Sequence, residues 1–193
     1  MRGRTGRAEL DHAIEHGYAL VAAQWWRGGG PDDYFSPLET YSLVALALRY
    51  MTEAYGADPS RTALVAFSTA AARSYEITYW DRALGTDYFA LTISHAGGIP
   101  TEHPMPFVTR LLAGEFGETP FAGARFFMYC GMKDEAWGPE SCARMRNAEQ
   151  IVTDYGGLVE RFIEDPEGTR RGYRLNPEWH EAGVETFLRL TAD

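Results

Sequence analysis

Short apolar runs alternate along the chain with segments of helical periodicity. Most of these runs are apolar at nearly every position, which is typical of strands that are buried on both faces. Five are short enough to be such strands: 17–25, 61–68, 88–97, 125–132 and 158–164. Because a right-handed crossover between parallel strands lays a helix against the sheet, the alternation predicts an α/β fold. We expect a mostly parallel sheet of about five strands with helices on both faces.

Polar residues mark where the helices begin and end. The stretch SPLE (36–39) combines a serine cap, a proline at the first helical position and a glutamate three residues after the cap, and its helix is predicted to end near Gly56. The pair Asn-Pro at 176–177 predicts the start of the last helix. Further helices are predicted over 69–83, 102–113 and 139–155. The chain is expected to form one domain over residues 1–193.

The composition is that of an acidic globular protein. The 193 residues are 45% hydrophobic and 13% aromatic, and the formal net charge is −9. Since no block of lysine or arginine occurs, the electrostatic attraction on which nucleic-acid binding depends is absent. No run approaches the roughly 20 apolar residues of a membrane span, and the N-terminus lacks the apolar stretch of a signal peptide. A cytoplasmic protein without membrane contact is therefore expected.

A few cysteine and histidine residues are candidates for disulfide bonding and metal binding. Cys130 and Cys142 are too few for a disulfide framework and match no metal spacing, so buried or incidental thiols are expected. The stretch HAIEH (12–16) fits the His-x-x-Glu-His zinc signature, with His12 and His16 one helical turn apart. Both histidines are expected to face solvent, so neither a metal nor a cofactor is predicted.

Three side chains with catalytic chemistry follow strand ends, where parallel sheets form their sites. Ser68 ends the second apolar run, Asp134 follows the fourth and His180 comes after the fifth. A serine hydroxyl can attack an acyl carbon when an imidazole takes its proton and a carboxylate orients that imidazole. The three residues therefore predict a site of nucleophilic catalysis.

The segment AFSTA (66–70) resembles the Gly-x-Ser-x-Gly nucleophile elbow of the α/β-hydrolase superfamily, with alanine in both glycine places. The longer stretch 57–68 is similar to the segment before the elbow in polyester-depolymerase and feruloyl-esterase-like members, and CGMKDE (130–135) resembles their acid loop. The resemblance implies an esterase that forms an acyl-enzyme without a cofactor. It also implies Asp134, or else Glu135, as the acid and the Thr69 N–H as an oxyanion donor.

The sequence departs from this family at the base. The family places its histidine in the loop before the last helix, often as a His-Gly pair, and here that loop holds Arg170, Arg171 and Gly172. His180 falls about four positions into the predicted last helix. Either His180 reaches back from the first helical turn or the base has been lost. His95 could line the same crevice, although a structural role is expected for it.

A second departure concerns the beginning of the chain. The stretch EHGYALVAAQWW (15–26) resembles the family's fourth strand, so the first three strands and a second oxyanion donor would lie upstream of Met1, as in an N-terminally shortened or divergent member. Since the family's third strand lies between the fourth and the fifth, runs 17–25 and 61–68 either flank a gap or pair directly. The aromatic residues of the loop between these runs are expected to wall an acyl or aromatic pocket: Trp25, Trp26 and Tyr34.

Two hypotheses about function follow. The first is a serine hydrolase that cleaves a small-molecule carboxylic ester, with Ser68 as nucleophile, His180 as base and Asp134 as acid. The second is a catalytically impaired, hydrolase-derived scaffold or truncated fragment that acts at most as a binding module. The oligomeric state stays open, with a homo-oligomer as one alternative.

Overall fold

A four-stranded parallel sheet forms the centre of the structure. The computed structural model describes residues 13–30, 33–102 and 105–192. The strands within them are β1 Thr62–Phe67, β2 Phe89–His95, β3 Arg125–Gly131 and β4 Leu158–Asp165, paired in the order β1-β2-β3-β4. All pairings are parallel, so the loops that follow the four strands meet at one edge of the sheet. The predicted α/β class and parallel sheet are confirmed.

Helices connect and cover these strands. The described residues contain α1 Pro37–Tyr55, α2 Thr69–Ala83, α3 Pro106–Leu112, α4 Glu140–Asp154, α5 Gly172–Leu175 and α6 Pro177–Thr191. Ser36 and Glu39 form the predicted capping box, and Gly56 ends α1 with a φ of 68°. Residues 13–16 are also helical. None of the described helices has the length and apolar character that crossing a membrane requires.

The core lies on both faces of β3. Phe126, Met128 and Cys130 contact the side covered by α2, α3 and α4, whereas Phe127 and Tyr129 contact the side covered by α5 and α6. All five side chains are fully buried. Successive side chains of a strand point to opposite faces, so a strand covered on both sides is apolar at every position. This explains the uninterrupted apolar run on which the strand was predicted.

The predicted strand over 17–25 is wrong. Within the described residues this segment has no regular secondary structure, and the nearest pairing is a single bridge between Trp26 and Tyr34. Leu20 and Val21 are exposed, and β1 is an edge of the described sheet, where Val65 is 56% exposed. An extended segment becomes a strand only when a neighbour pairs with its backbone N–H and C=O groups. No described strand lies beside 17–25, so the sheet has four strands rather than the five expected.

The two cysteines form a disulfide, which corrects the expectation of unpaired thiols. Cys130 lies near the end of β3 and Cys142 in the first turn of α4, and the packing of this helix on the strand brings their Cα atoms to 5.2 Å. That distance lies within the range that a disulfide can bridge. The bond closes the loop that carries Asp134. Disulfides are rare in cytoplasmic proteins, so this pair does not favour the predicted cytoplasmic location, which stays a prediction.

Candidate active site

Ser68 occupies the tight turn between β1 and α2. Its backbone has φ 60° and ψ −124°, which residues with a Cβ rarely adopt. The Ser68 N–H donates to the His95 carbonyl at 3.0 Å, and this bond ties the turn to the end of β2. The side chain makes no capping hydrogen bond to α2, unlike that of a serine that serves as a helix cap. Strained positions of this kind cost about 1–3 kcal/mol and cluster at functional sites.

A close approach to Gly97 accommodates the turn. A Cβ on Gly97 would lie 1.9 Å from the Ser68 carbonyl oxygen, so glycine is the residue that fits there. The Ala72 N–H donates to the same carbonyl at 3.1 Å and begins the hydrogen bonding of α2. The N–H of Thr69 therefore has no acceptor within the helix. An N–H without an acceptor in its helix is what the predicted oxyanion role of Thr69 requires, and the role itself stays a prediction.

Asp134 lies in the loop after β3 and is only 4% exposed. Its Oδ1 atom accepts hydrogen bonds from the N–H groups of Ala136 at 2.8 Å and Trp137 at 3.1 Å. Its Oδ2 atom is buried and has no hydrogen-bond donor within the described part of the chain. Since a buried carboxylate oxygen normally finds a donor, this oxygen is available to a further group at the site.

Arg170 lies between Ser68 and Asp134. Its Nη2 atom donates a hydrogen bond to Ser68 Oγ, and its Nη1 atom lies 4.0 Å from Asp134 Oδ1. The backbone N–H of Arg170 also donates to the carboxylate of Glu135 at 3.3 Å, which gives the alternative acid a place beside the site. A guanidinium stays protonated in proteins and has donors only, so Arg170 cannot take the proton of Ser68.

Backbone contacts hold the Arg170 loop against the Asp134 loop. The Lys133 N–H donates to the Gly168 carbonyl and the Met132 N–H to the Asp165 carbonyl, each at 2.9 Å. A Cβ on Gly131 would lie 2.3 Å from the Gly168 carbonyl oxygen, so the end of β3 and the loop after β4 touch through backbone atoms. The position of Arg170 beside Asp134 is therefore set by main-chain geometry.

A cavity of about 200 Å³ opens beside the Ser68 hydroxyl. Loops after β1, β2 and β3 supply its wall, with Gly97 and Gly98 on one side and Trp137 on another. Arg144 and Arg170 contribute the charged groups among its described lining residues. The cavity can hold a small ligand in contact with both the hydroxyl and the guanidinium of Arg170.

Solved structures similar to this one come from esterases and related hydrolases, whereas no protein-family model and no curated protein sequence matches the chain. A Bacillus cereus carboxylesterase aligns with a TM-score of 0.62 over 97% of this chain and 84% of that chain, at 10% identity. A putative dienelactone hydrolase of Klebsiella pneumoniae aligns with a TM-score of 0.61 over 99% and 82%, at 14% identity. The chain has the α/β-hydrolase fold. For a Rhizomucor miehei esterase the TM-score is 0.61 over 88% of this chain at 10% identity, and the chain spans 62% of that protein's length.

The predicted resemblance to the α/β-hydrolase fold is thus confirmed. The position of Arg170 can therefore be compared with the position at which the resemblance implies a histidine. Arg170 lies in the loop where the resemblance implies the histidine, and it makes the contacts to serine and aspartate expected of that histidine. The structure brings two of the three predicted catalytic residues together around it, Ser68 and Asp134. The signal for Arg170 was present in the sequence as an arginine pair in the place of His-Gly.

The described histidines, His16, His95 and His180, make no hydrogen bond to the Ser68 hydroxyl. His180 lies in the first turn of α6, half-buried, with its ring 5.7 Å from that of Tyr173. Within the described residues no hydrogen bond joins Ser68 Oγ to an imidazole, and the role of His180 as base stays a prediction. His95 is buried between Phe67 and Tyr173, at ring distances of 5.1 Å and 4.7 Å. Burial, together with the nearby Arg174 and His180, lowers the pKa of His95 to about 3, so its ring is neutral.

The predicted aromatic pocket residues form a cluster of their own. Trp25 and Tyr34 stack at 4.2 Å, Trp26 donates to the Gly30 carbonyl at 2.6 Å, and the Arg73 guanidinium lies 5.2 Å from the Tyr34 ring. None of the three predicted residues is among the described residues that line the cavity beside Ser68, where Trp137 is the aromatic side chain. Their role in substrate binding stays a prediction.

Only part of the predicted zinc signature lies within the described residues. His12 lies outside the described residues, while His16 lies 3.9 Å from the Glu181 carboxylate. Within the described ranges no three residues of histidine, cysteine, aspartate or glutamate are grouped as metal ligands would be.

Proposed function

We propose that the chain is a carboxylic-ester hydrolase in which Ser68 attacks the acyl carbon and forms an acyl-enzyme. The observation that carries the proposal is the strained Ser68 backbone, at φ 60° and ψ −124°, with a hydroxyl that does not cap the following helix. Such strain persists where the surrounding structure enforces it, and it is commonest where a side chain has to be presented to a ligand. The esterases among the structural neighbours support the same reaction class.

The proposed reaction uses the groups around the elbow. The Thr69 N–H stabilises the oxyanion that forms on the acyl oxygen, and Asp134 supplies the buried carboxylate that orients the base. The proton of Ser68 goes to an imidazole, for which His180 is the proposed residue. Because Arg170 donates to Ser68 Oγ and cannot accept that proton, its guanidinium has to release the hydroxyl before the attack. The C–O bond of the ester then breaks, and the alcohol leaves with the proton that the imidazole holds. Water, deprotonated by the same imidazole, hydrolyses the acyl-enzyme to the free acid, and the proton returns to Ser68.

A second candidate function is ligand binding without turnover, and the contact of Arg170 with Ser68 and Asp134 favours it. If no imidazole replaces the guanidinium, the hydroxyl keeps its proton and serves as a hydrogen-bond donor. The elbow, the arginine and the cavity would then form a binding site on a hydrolase-derived scaffold.

A fluorophosphonate probe, which reacts covalently with an activated serine, separates the two functions. We expect the natural chain to be labelled and to hydrolyse p-nitrophenyl acetate, and both signals to vanish in Ser68→Ala. His180→Ala should lower both signals by two orders of magnitude or more, since a general base contributes about 10²–10⁴-fold. His16→Ala, which removes a half-buried imidazole beside Glu181 of the same helix α6, is the matched control and should leave both signals unchanged.

The variant Arg170→His gives the decisive contrast. A natural chain that is unlabelled, together with a labelled Arg170→His variant, would show that the arginine has replaced the base and would support binding without turnover. If both proteins are folded by circular dichroism and neither is labelled, Ser68 is not a nucleophile and the hydrolase proposal fails.

A further inference from the structure

Arginine side chains dominate the polar wall of the cavity beside Ser68. Arg170 enters from the loop after β4, and Arg144 enters from the second turn of α4. They are the charged side chains among the described lining residues, and both are cationic. This is unusual in a chain with a formal net charge of −9, where acidic residues outnumber basic ones. The described lining of the cavity therefore contributes cationic side chains on an acidic protein.

Both guanidinium groups keep donors for a ligand. Arg170 uses Nη2 for Ser68 Oγ, and its Nη1 atom lies 4.0 Å from Asp134, beyond hydrogen-bond distance. Arg144 stacks its guanidinium 3.8 Å over the Trp137 ring and uses Nε and Nη2 for Glu140. These contacts hold each group in place, and no described residue accepts a hydrogen bond from either Nη1 atom. Since Ser68 Oγ accepts from Arg170, its own O–H can donate to the same ligand.

The neighbouring carboxylates set the charge that the ligand can carry. Asp134 lies beside Arg170 and Glu140 pairs with Arg144, so each arginine is partly compensated. A dianionic phosphate would meet these two carboxylates with excess negative charge, whereas a single carboxylate matches the planar fork of a guanidinium. The volume of about 200 Å³ lies below the 300–1,000 Å³ of sites for drug-sized ligands, which limits the ligand to a small acid.

We propose that this cavity binds a small ligand through a carboxylate group, which Arg144 and Arg170 hold beside the Ser68 hydroxyl. Where the proposal concerns the substrate, it rests on the proposed function. It identifies the substrate as the monoester of a small dicarboxylic acid. The ester group of such a molecule reaches Ser68 while its free carboxylate contacts the arginines. The Trp137 ring and the Met105 side chain, which also line the cavity, contact the carbon chain between the two groups.

Titration calorimetry with monomethyl succinate and dimethyl succinate tests the assignment. The two esters differ by the carboxylate, and Ser68→Ala is used so that no turnover interferes. We expect monomethyl succinate to bind and dimethyl succinate to bind at least tenfold more weakly, since hydrogen bonds to charged groups are the strong ones. Arg144→Gln in the same background should weaken monomethyl succinate at least tenfold. Arg146→Gln, on the same helix but outside the lining, is the matched control and should not change its affinity.

The outcomes separate this inference from the hydrolase proposal. Selective binding of the monoester that depends on Arg144 supports the carboxylate site, whether or not the natural chain is labelled by the fluorophosphonate probe. Equal affinity for the two esters, or binding that is unchanged in Arg144→Gln, overturns it even if Ser68 proves to be a nucleophile. Inorganic phosphate that displaces the monoester with higher affinity also overturns it, because the site would then prefer a dianion.

Discussion

β1 and β3 both lead into the candidate active site, yet they are held in place in different ways. β3 lies in the middle of the sheet, its side chains from Phe126 to Cys130 are fully buried, and a disulfide fastens its end to α4. β1 is an edge strand of the described sheet, and its Val65 is 56% exposed. Asp134 follows the buried strand β3, and Ser68 follows the edge strand β1. The acid is thus positioned by the core, whereas the nucleophile depends on a few local contacts of its turn.

The largest expected effect comes from truncating one side chain to alanine in β3 and one in β1. Phe127→Ala should lower the free energy of unfolding by about 3–5 kcal/mol, because it removes a fully buried ring and leaves a cavity. Val65→Ala should change it by no more than about 0.5 kcal/mol, since the side chain is mostly exposed already. Urea unfolding followed by circular dichroism measures both. A loss of 2 kcal/mol or more in Val65→Ala, on the scale of a buried position, would show that β1 is covered in solution.

The same contrast explains what could be predicted from the sequence. β2 and β3 are buried, so their apolar runs identified them, and the capping box of α1 gave its bounds because it is a local signal. The run 17–25 has equally apolar residues and forms no strand in the described structure, because pairing requires a neighbour that composition does not reveal. Strand formation depends on two segments, so the apolar pattern of one segment cannot show whether another segment pairs with it.

In the candidate site, too, features of one continuous segment could be predicted, whereas contacts between segments could not. The elbow at Ser68 and the acid loop at Asp134 could be found because each is a continuous stretch of sequence. The Cys130–Cys142 pair and the contact of Arg170 with Ser68 join residues from different elements. Twelve residues separate the cysteines and 102 separate Arg170 from Ser68, so neither contact follows from local spacing. The disulfide depends on how α4 packs on β3, and the contact of Arg170 with Ser68 depends on how the loops after β1 and β4 meet at the edge of the sheet.

The end of β2, between the two contrasted strands, gives the second prediction. Burial lowers the pKa of His95 to about 3 in the folded chain, while the unfolded chain binds the proton near pH 6.5. Above pH 6.5 the buried His95 therefore does not lower the free energy of unfolding. This free energy decreases as the pH falls from 6.5 toward 3, because the unfolded chain then binds a proton that the folded chain does not. Between pH 7 and pH 5 this loss amounts to about 2 kcal/mol.

His95→Phe isolates that contribution. Phenylalanine keeps a ring between Phe67 and Tyr173 and removes the buried Nδ1 atom, which has no hydrogen-bond partner among the described residues. We expect the free energy of unfolding of the variant to fall by about 2 kcal/mol less than that of the natural chain between pH 7 and pH 5. His16→Phe, at a half-buried position outside the sheet, should retain the full decrease. Equal pH dependence in the natural chain and His95→Phe would mean that His95 is hydrated.

The smallest expected effect concerns the turn that positions the nucleophile. Ser68→Gly and Ser68→Ala both remove the hydroxyl and its contact with Arg170, but glycine adopts a φ of 60° without the clash of a Cβ. Relief of about 1–3 kcal/mol of strain exceeds the roughly 0.4–1 kcal/mol that glycine's freedom in the unfolded chain costs, so Ser68→Gly should be more stable than Ser68→Ala by about 1 kcal/mol. Thermal unfolding of the two variants side by side measures the difference. A Ser68→Ala variant as stable as Ser68→Gly would show that the backbone at residue 68 relaxes. Backbone strain would then no longer support Ser68 as a nucleophile. A more stable glycine variant would mean that the chain keeps a strained serine at a cost in stability, which is expected where the hydroxyl itself is needed.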